Sequence, residues 1–230
     1  MTALIDWGKA MSRDDWYRNT RWDGETIALF RAKLSRSRSG RPQYLRIQAN
    51  YLADRYPEVA LGLIDEYFST GDEFDVPTAF CTQAEAFRAL GKLDEEISAY
   101  KKALDWEEAH PRHISMARID FPKRVAERRL ANEYDYALDI LTSRFTAGDH
   151  QFPSTRYYWN GSCALITHDL GRFAEAREFA ERALRAASET ESSFRYHRTV
   201  GVVRETSDDF GRRIKRVAQP SKVRSLFRLL

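Results

Sequence analysis

Five histidines (His110, His113, His150, His168 and His197), two cysteines (Cys81 and Cys163) and 34 acidic side chains are the residues of this 230-residue chain able to do acid–base, nucleophilic or metal chemistry. Glu107, His110 and His113 stand three apart, as ligands on one helical face would, but Pro111 interrupts that face and no HExxH pattern occurs. Neither GxSxG, nor a Walker-type phosphate loop, nor GxGxxG is present. The cysteines lie 163 − 81 = 82 positions apart without CxxC spacing, and neither has a histidine near it in sequence, so no disulfide framework, zinc site or local Cys–His pair is indicated. The acidic clusters Asp94, Glu95, Glu96 and Glu107, Glu108 fall at helix starts or on solvated faces, a poor setting for a general acid–base pair. The expectation is a protein without catalytic residues, metal or cofactor.

Binding chemistry is better represented. Arg212, Arg213, Lys215 and Arg216 cluster around an apolar stripe formed by Phe210, Ile214 and Val217, and a further stripe of Val223, Leu226, Phe227 and Leu230 follows Pro220. A basic amphipathic helix can bind phosphate backbones, anionic lipid or an acidic partner, or it can cap a helical stack with its cations in water. Charge is distributed in blocks. Residues 1–46 hold 10 Lys/Arg against 5 Asp/Glu, residues 47–194 hold 17 against 26, and residues 195–230 hold 10 against 3. Such blocks can mark a nucleic-acid or membrane contact, and they also arise when basic ends fold back on an acidic middle, which is the favoured reading.

The elements that must carry these residues are helical. Gly and Pro are sparse at 11 and 7, and 31% of the chain is charged, which disfavours a turn-dense sandwich or barrel. No segment approaches the ~18 consecutive apolar residues of a membrane helix, so a soluble cytoplasmic protein of one or two domains is expected. Within residues 83–104, Ala84, Phe87 and Leu90 share a face, Gly91 stops that helix, and Leu93, Ile97, Tyr100 and Leu104 form the next stripe. Residues 163–184 repeat the pattern around Gly171, with Phe173, Ala176, Ala180, Ala183 and Leu184 behind it. Fainter copies turn at Asp54 and at Asn132, the latter chosen as the best left-handed residue after glycine.

This grammar resembles the tetratricopeptide repeat, carried by Ala84, Gly91, Tyr100, Ala103 and Leu104 in one copy and by Gly171, Phe173, Ala176, Ala183 and Leu184 in another. The turns at 54, 91, 132 and 171 are spaced by 37, 41 and 39, longer than the family's ~34, and Glu96 stands where a small residue is expected. The resemblance implies an all-α solenoid of about four helical hairpins over residues 41–190, wound as a right-handed superhelix. Residues 1–40, with Trp7, Trp16 and Trp22, are expected to supply an aromatic-rich N-terminal cap or docking arm, and residues 191–230 basic capping helices.

The resemblance also implies a function, since such solenoids bind other chains along a groove lined by the first helix of each hairpin. Counting back from each turn places Arg41, Tyr44, Gln48 and Tyr51 there, then Thr78, Cys81, Glu85 and Arg88, then Ile119, Pro122, Ala126 and Arg129, then Tyr158, Gly161, Leu165 and His168. Tyr44, Gln48, Tyr51, Glu85, Arg88, Arg129, Tyr158 and His168 are the side chains best suited to contact a partner. The expected function is a non-enzymatic adaptor for a protein or peptide. A nucleic-acid-associated or regulatory repeat protein acting through Arg212, Arg213, Lys215 and Arg216 is the alternative.

Overall fold

A computed structural model describes residues 15–145, 152–192 and 194–219, and among these residues there are ten α-helices, one 3-10 turn and no strand. The chain divides into two compact units between Ala117 and Arg118. The first contains α1 (Gly24–Arg36), α2 (Arg41–Leu52), α3 (Pro57–Phe68), α4 (Val76–Ala89) and α5 (Leu93–Ala109). The second takes up α6 (Ala117–Arg128), the 3-10 turn Ala131–Glu133, α7 (Tyr134–Ser143), α8 (Pro153–Asp169), α9 (Phe173–Ala187) and α10 (Asp209–Ala218). The amphipathic stripe at 223–230, together with Trp7 and His150, lies outside the described residues.

Local chemistry accounts for where the helices begin. The Asp23 carboxylate accepts from Thr26 N (3.0 Å) and Thr26 Oγ1 (2.8 Å) to cap α1, and these bonds hold its pKa below the usual carboxylate value. Asp208 caps α10 by accepting from Gly211 N at 2.8 Å. α2, α3, α4 and α8 instead open with proline in the first turn, where the missing N–H costs nothing.

Within each unit, consecutive helices pack as antiparallel hairpins: α2 on α3, α4 on α5, α8 on α9. Alanine lets the backbones approach, with Ala84, Ala103, Ala164, Ala176, Ala180 and Ala183 fully buried. Large side chains fill the remainder. In the first unit Phe30, Leu45, Leu52, Leu63, Ile64 and Tyr67 form one buried cluster, with Trp16, Tyr17 and Trp22 packed against it. In α5, Tyr100 and Leu104 are almost wholly buried, as is Glu96. Helix α5 has 17 residues and is followed by a connection over 110–116, which makes this repeat longer than the family's period.

The turn after α6 differs from expectation. Gly91 and Gly171 are left-handed (φ 72° and 78°), and the residue after each donates to a carbonyl five positions back, Lys92 to Phe87 and Arg172 to Thr167, both at 2.9 Å. The same closure after α6 is Leu130 N to Val125 O at 3.1 Å, so the left-handed residue there is Arg129 (φ 54°), and Asn132 sits in the following 3-10 turn. The third turn therefore falls 132 − 129 = 3 residues early, and the groove register before it shifts with it.

Candidate functional site

The first helices of consecutive hairpins are neighbours within the first unit. There α2 and α4 lie side by side, joined by Arg46 to Asp75 (3.1 Å) and by Thr82 Oγ1 to Asn50 Oδ1 (3.5 Å). Tyr51 on α2 and Glu85 and Arg88 on α4 are half-buried. Arg41 pairs with Glu66 at 2.5 Å. Tyr44 and Gln48 are covered by the segment before α1. Trp16 and Tyr17 pack on Tyr44 as tilted ring pairs with centroids 4.8 and 4.6 Å away. Gln48 is fully buried: its Nε2 donates to Asn19 O (2.8 Å), and its Oε1 accepts from Asn19 N (3.1 Å) and Nδ2 (2.9 Å). A buried amide satisfied on both ends is a fastening between chain segments, not a free contact for a partner.

Cys81, expected on the groove face, is buried, and its thiol donates to Ser115 Oγ at 3.3 Å. Ser115 donates in turn to the buried Glu107 carboxylate from N (2.8 Å) and Oγ (2.6 Å), and its Oγ accepts from Ala117 N at the start of α6 (3.2 Å). The other two members of the Glu107, His110, His113 trio turn elsewhere. His110 stacks on Trp106 at 4.3 Å, and His113 Nδ1 meets Phe74 O at 2.9 Å. Among the described residues no group of three or more His, Cys, Asp or Glu could hold a metal ion. Burial pushes the Cys163 thiol up to about 12, far from the thiolate that nucleophilic chemistry needs.

In the second unit, helix α10 packs against α8 and α9. Phe210 and Ile214 are buried, and Phe210 meets Tyr157 and Tyr158 with centroids 5.9 and 6.0 Å apart. Gly161 makes this possible, since a Cβ there would stand 2.6 Å from Ile214 Cδ1 and 2.8 Å from Phe210 Cε1. Counting from Arg129 instead of Asn132 puts Lys123 among the expected contact positions, and its ammonium lies 5.4 Å from the rings of both Tyr158 and Phe210. The sequence count missed Lys123 because it started from the wrong turn.

Of the basic cluster, Arg212, Lys215 and Arg216 are exposed and Arg213 is not. Arg213 is buried, and its Nη1 donates to Ala126 O (2.8 Å) and Glu127 O (3.2 Å), capping carbonyls at the end of α6. Arg212 donates to Ser207 O (2.7 Å), and Lys215 to Thr206 O and Oγ1 (3.1 Å each). Arg216 is exposed. Arg129, expected on the helix face of α6, lies instead in the turn beyond it. There Arg129, His168, Arg213 and Arg216 line a hollow of about 210 Å³ together with Leu165, Asp169 and Val217. Asp169 is its acidic member. It accepts from Tyr134 Oη at 2.9 Å and lies 3.6 Å from Arg213, 3.9 Å from Arg129 and 3.5 Å from His168 Nδ1. Burial and the Asp169 bond push the Tyr134 hydroxyl up to about 12.

Residues 77–110, which cover α4 and α5, match the tetratricopeptide repeat family model. With its repeated helical hairpins, the chain is a tetratricopeptide-like repeat protein. No curated protein and no solved structure matches it. Repeats of this kind serve protein interaction in general and are typically non-enzymatic. No helix among the described residues is long and apolar enough to cross a membrane.

Proposed function

We propose that this protein is a non-enzymatic, cytoplasmic adaptor or scaffold that binds a protein or peptide on the inner faces of its first helices, arranged as the superhelical solenoid that the tetratricopeptide resemblance implies. The observation that carries this reading is the family match over the α4–α5 hairpin. Tyr51, Glu85 and Arg88 in the first unit, and Arg129 and His168 in the second, are assigned to partner contact. Tyr44, Gln48 and Tyr158 are assigned to packing, because the chain's own segments already hold them. The nucleic-acid alternative loses Arg213, which is buried against backbone carbonyls of its own chain, and keeps the exposed Arg212, Lys215 and Arg216.

Affinity capture from source lysate tests the reading, with the full chain as bait, with and without nuclease, across a salt series. A protein retained after nuclease treatment and only weakly sensitive to salt is the expected result. Retained material that nuclease removes, with binding falling log-linearly and steeply in salt, would establish the nucleic-acid reading instead.

A further inference from the structure

Arg129 occupies a left-handed turn position that the neighbouring repeats give to Gly91 and Gly171. An L-residue is disfavoured there, and nothing in the turn requires arginine, since a glycine would close it equally well. The guanidinium this turn carries lines the hollow between the end of α8 and the last turns of α10. Arg213 and Arg216 enter the same hollow from α10, one helical turn apart along one face. Against three guanidinium groups stands a single carboxylate, Asp169, which leaves 3 − 1 = 2 positive charges in the lining.

The cations differ in how far they are committed. Arg213 is fixed by the Ala126 and Glu127 carbonyls and lies 3.6 Å from Asp169. Arg129 is 64% exposed and reaches Asp169 only at 3.9 Å, and Arg216 has no ion-pair partner among the described residues. Burial and then the proximity of Arg129 hold the Arg213 pKa below the ordinary guanidinium value, so a further anion in the hollow would relieve that repulsion. His168 adds ring nitrogens at the rim, and Leu165 and Val217 supply an apolar wall.

From this geometry we infer that the hollow is an anion site for a phosphoryl group carried by a peptide, with Arg129 and Arg216 as the ligating forks and Arg213 as the fixed charge behind them. A dianion matches the two uncompensated charges, where a single carboxylate would leave one, and planar guanidinium forks suit phosphate oxygens. A peptide is favoured over nucleic acid because repeats of the kind matched over residues 77–110 serve protein interaction in general. This inference rests on the adaptor reading and names the chemistry of its partner. The two can fail separately, because loss of phosphate dependence with protein capture intact removes this site alone.

The test is calorimetric titration of the full chain with acetyl-Gly-Gly-pSer-Gly-Gly-amide and its Ser and Asp counterparts. Inorganic phosphate and a short single-stranded oligonucleotide are titrated in parallel. The phosphopeptide is expected to bind at least about tenfold more tightly than the Ser and Asp peptides. Arg129→Gly and Arg216→Gln are each expected to remove that advantage. Arg129→Gly keeps the turn in the form used at Gly91 and Gly171, so its melting temperature should hold or rise, which separates lost binding from lost folding. Equal affinity for the three peptides, or a phosphopeptide preference unchanged in both variants, would overturn the site. Inorganic phosphate binding as tightly as the phosphopeptide would overturn the peptide assignment in favour of a free anion, and tighter oligonucleotide binding lost in the same variants would overturn it in favour of nucleic acid.

Discussion

Replacing Phe210 by alanine is expected to destabilise the second unit by about 3–5 kcal/mol, the range for truncating a buried aromatic. The ring is 2% exposed, meets both Tyr157 and Tyr158, and carries the Lys123 ammonium above it. Removing it leaves a void against Gly161, which has no side chain to collapse into the space. Phe210→Leu retains most of the volume and should cost less than about 1.5 kcal/mol. Denaturant unfolding of the two variants beside the parent chain checks both values. If Phe210→Ala unfolds like the parent, helix α10 is not packed on α8 in solution.

Phe30→Ala should have a comparable effect on the first unit, about 3–5 kcal/mol. Phe30 is fully buried, and Trp16 and Trp22 each lie 5.5 Å from it by ring centroid. Its loss unseats both indoles and, through Trp16, the segment whose Asn19 fastens Gln48. Tryptophan emission in the folded variant should therefore shift to the red along with the loss of stability. A destabilised variant with unshifted emission would mean that residues 15–23 are held by something other than Phe30.

The hairpins α4–α5 and α8–α9 were legible in the sequence because each joins two local signals, a glycine able to adopt positive φ and an apolar stripe at helical spacing on either side. The third turn was not. Arginine at positive φ runs against propensity, Asn132 is the better left-handed residue, and Tyr134 two positions later completes the expected motif, so local rules favoured the wrong register. At the first inner face, sequence placed Tyr44 and Gln48 correctly on one side of a helix but carried no sign that Asn19, 29 residues earlier, would satisfy the Gln48 amide. The seating of α10 was hidden for the same reason. Gly161 reads locally as one more small residue in a helix, and its role emerges only when Phe210 and Ile214, far along the chain, approach it. Non-local pairing also split the basic cluster, turning Arg213 inward to the end of α6 while leaving Arg216 outside.

The central claim is that partner contact and packing are carried by different side chains of the same repeats. Its most direct test measures melting temperature and affinity for the captured partner on Tyr51→Ala, Arg88→Ala and His168→Ala, beside Tyr100→Ala and Leu104→Ala. The first group is predicted to include one or two variants that lose at least about 2 kcal/mol of binding with little change in stability. The second group is predicted to lose about 2–5 kcal/mol of stability. If the first group proves as destabilising as the second, with no selective loss of affinity, the inner face is core and the adaptor account is contradicted.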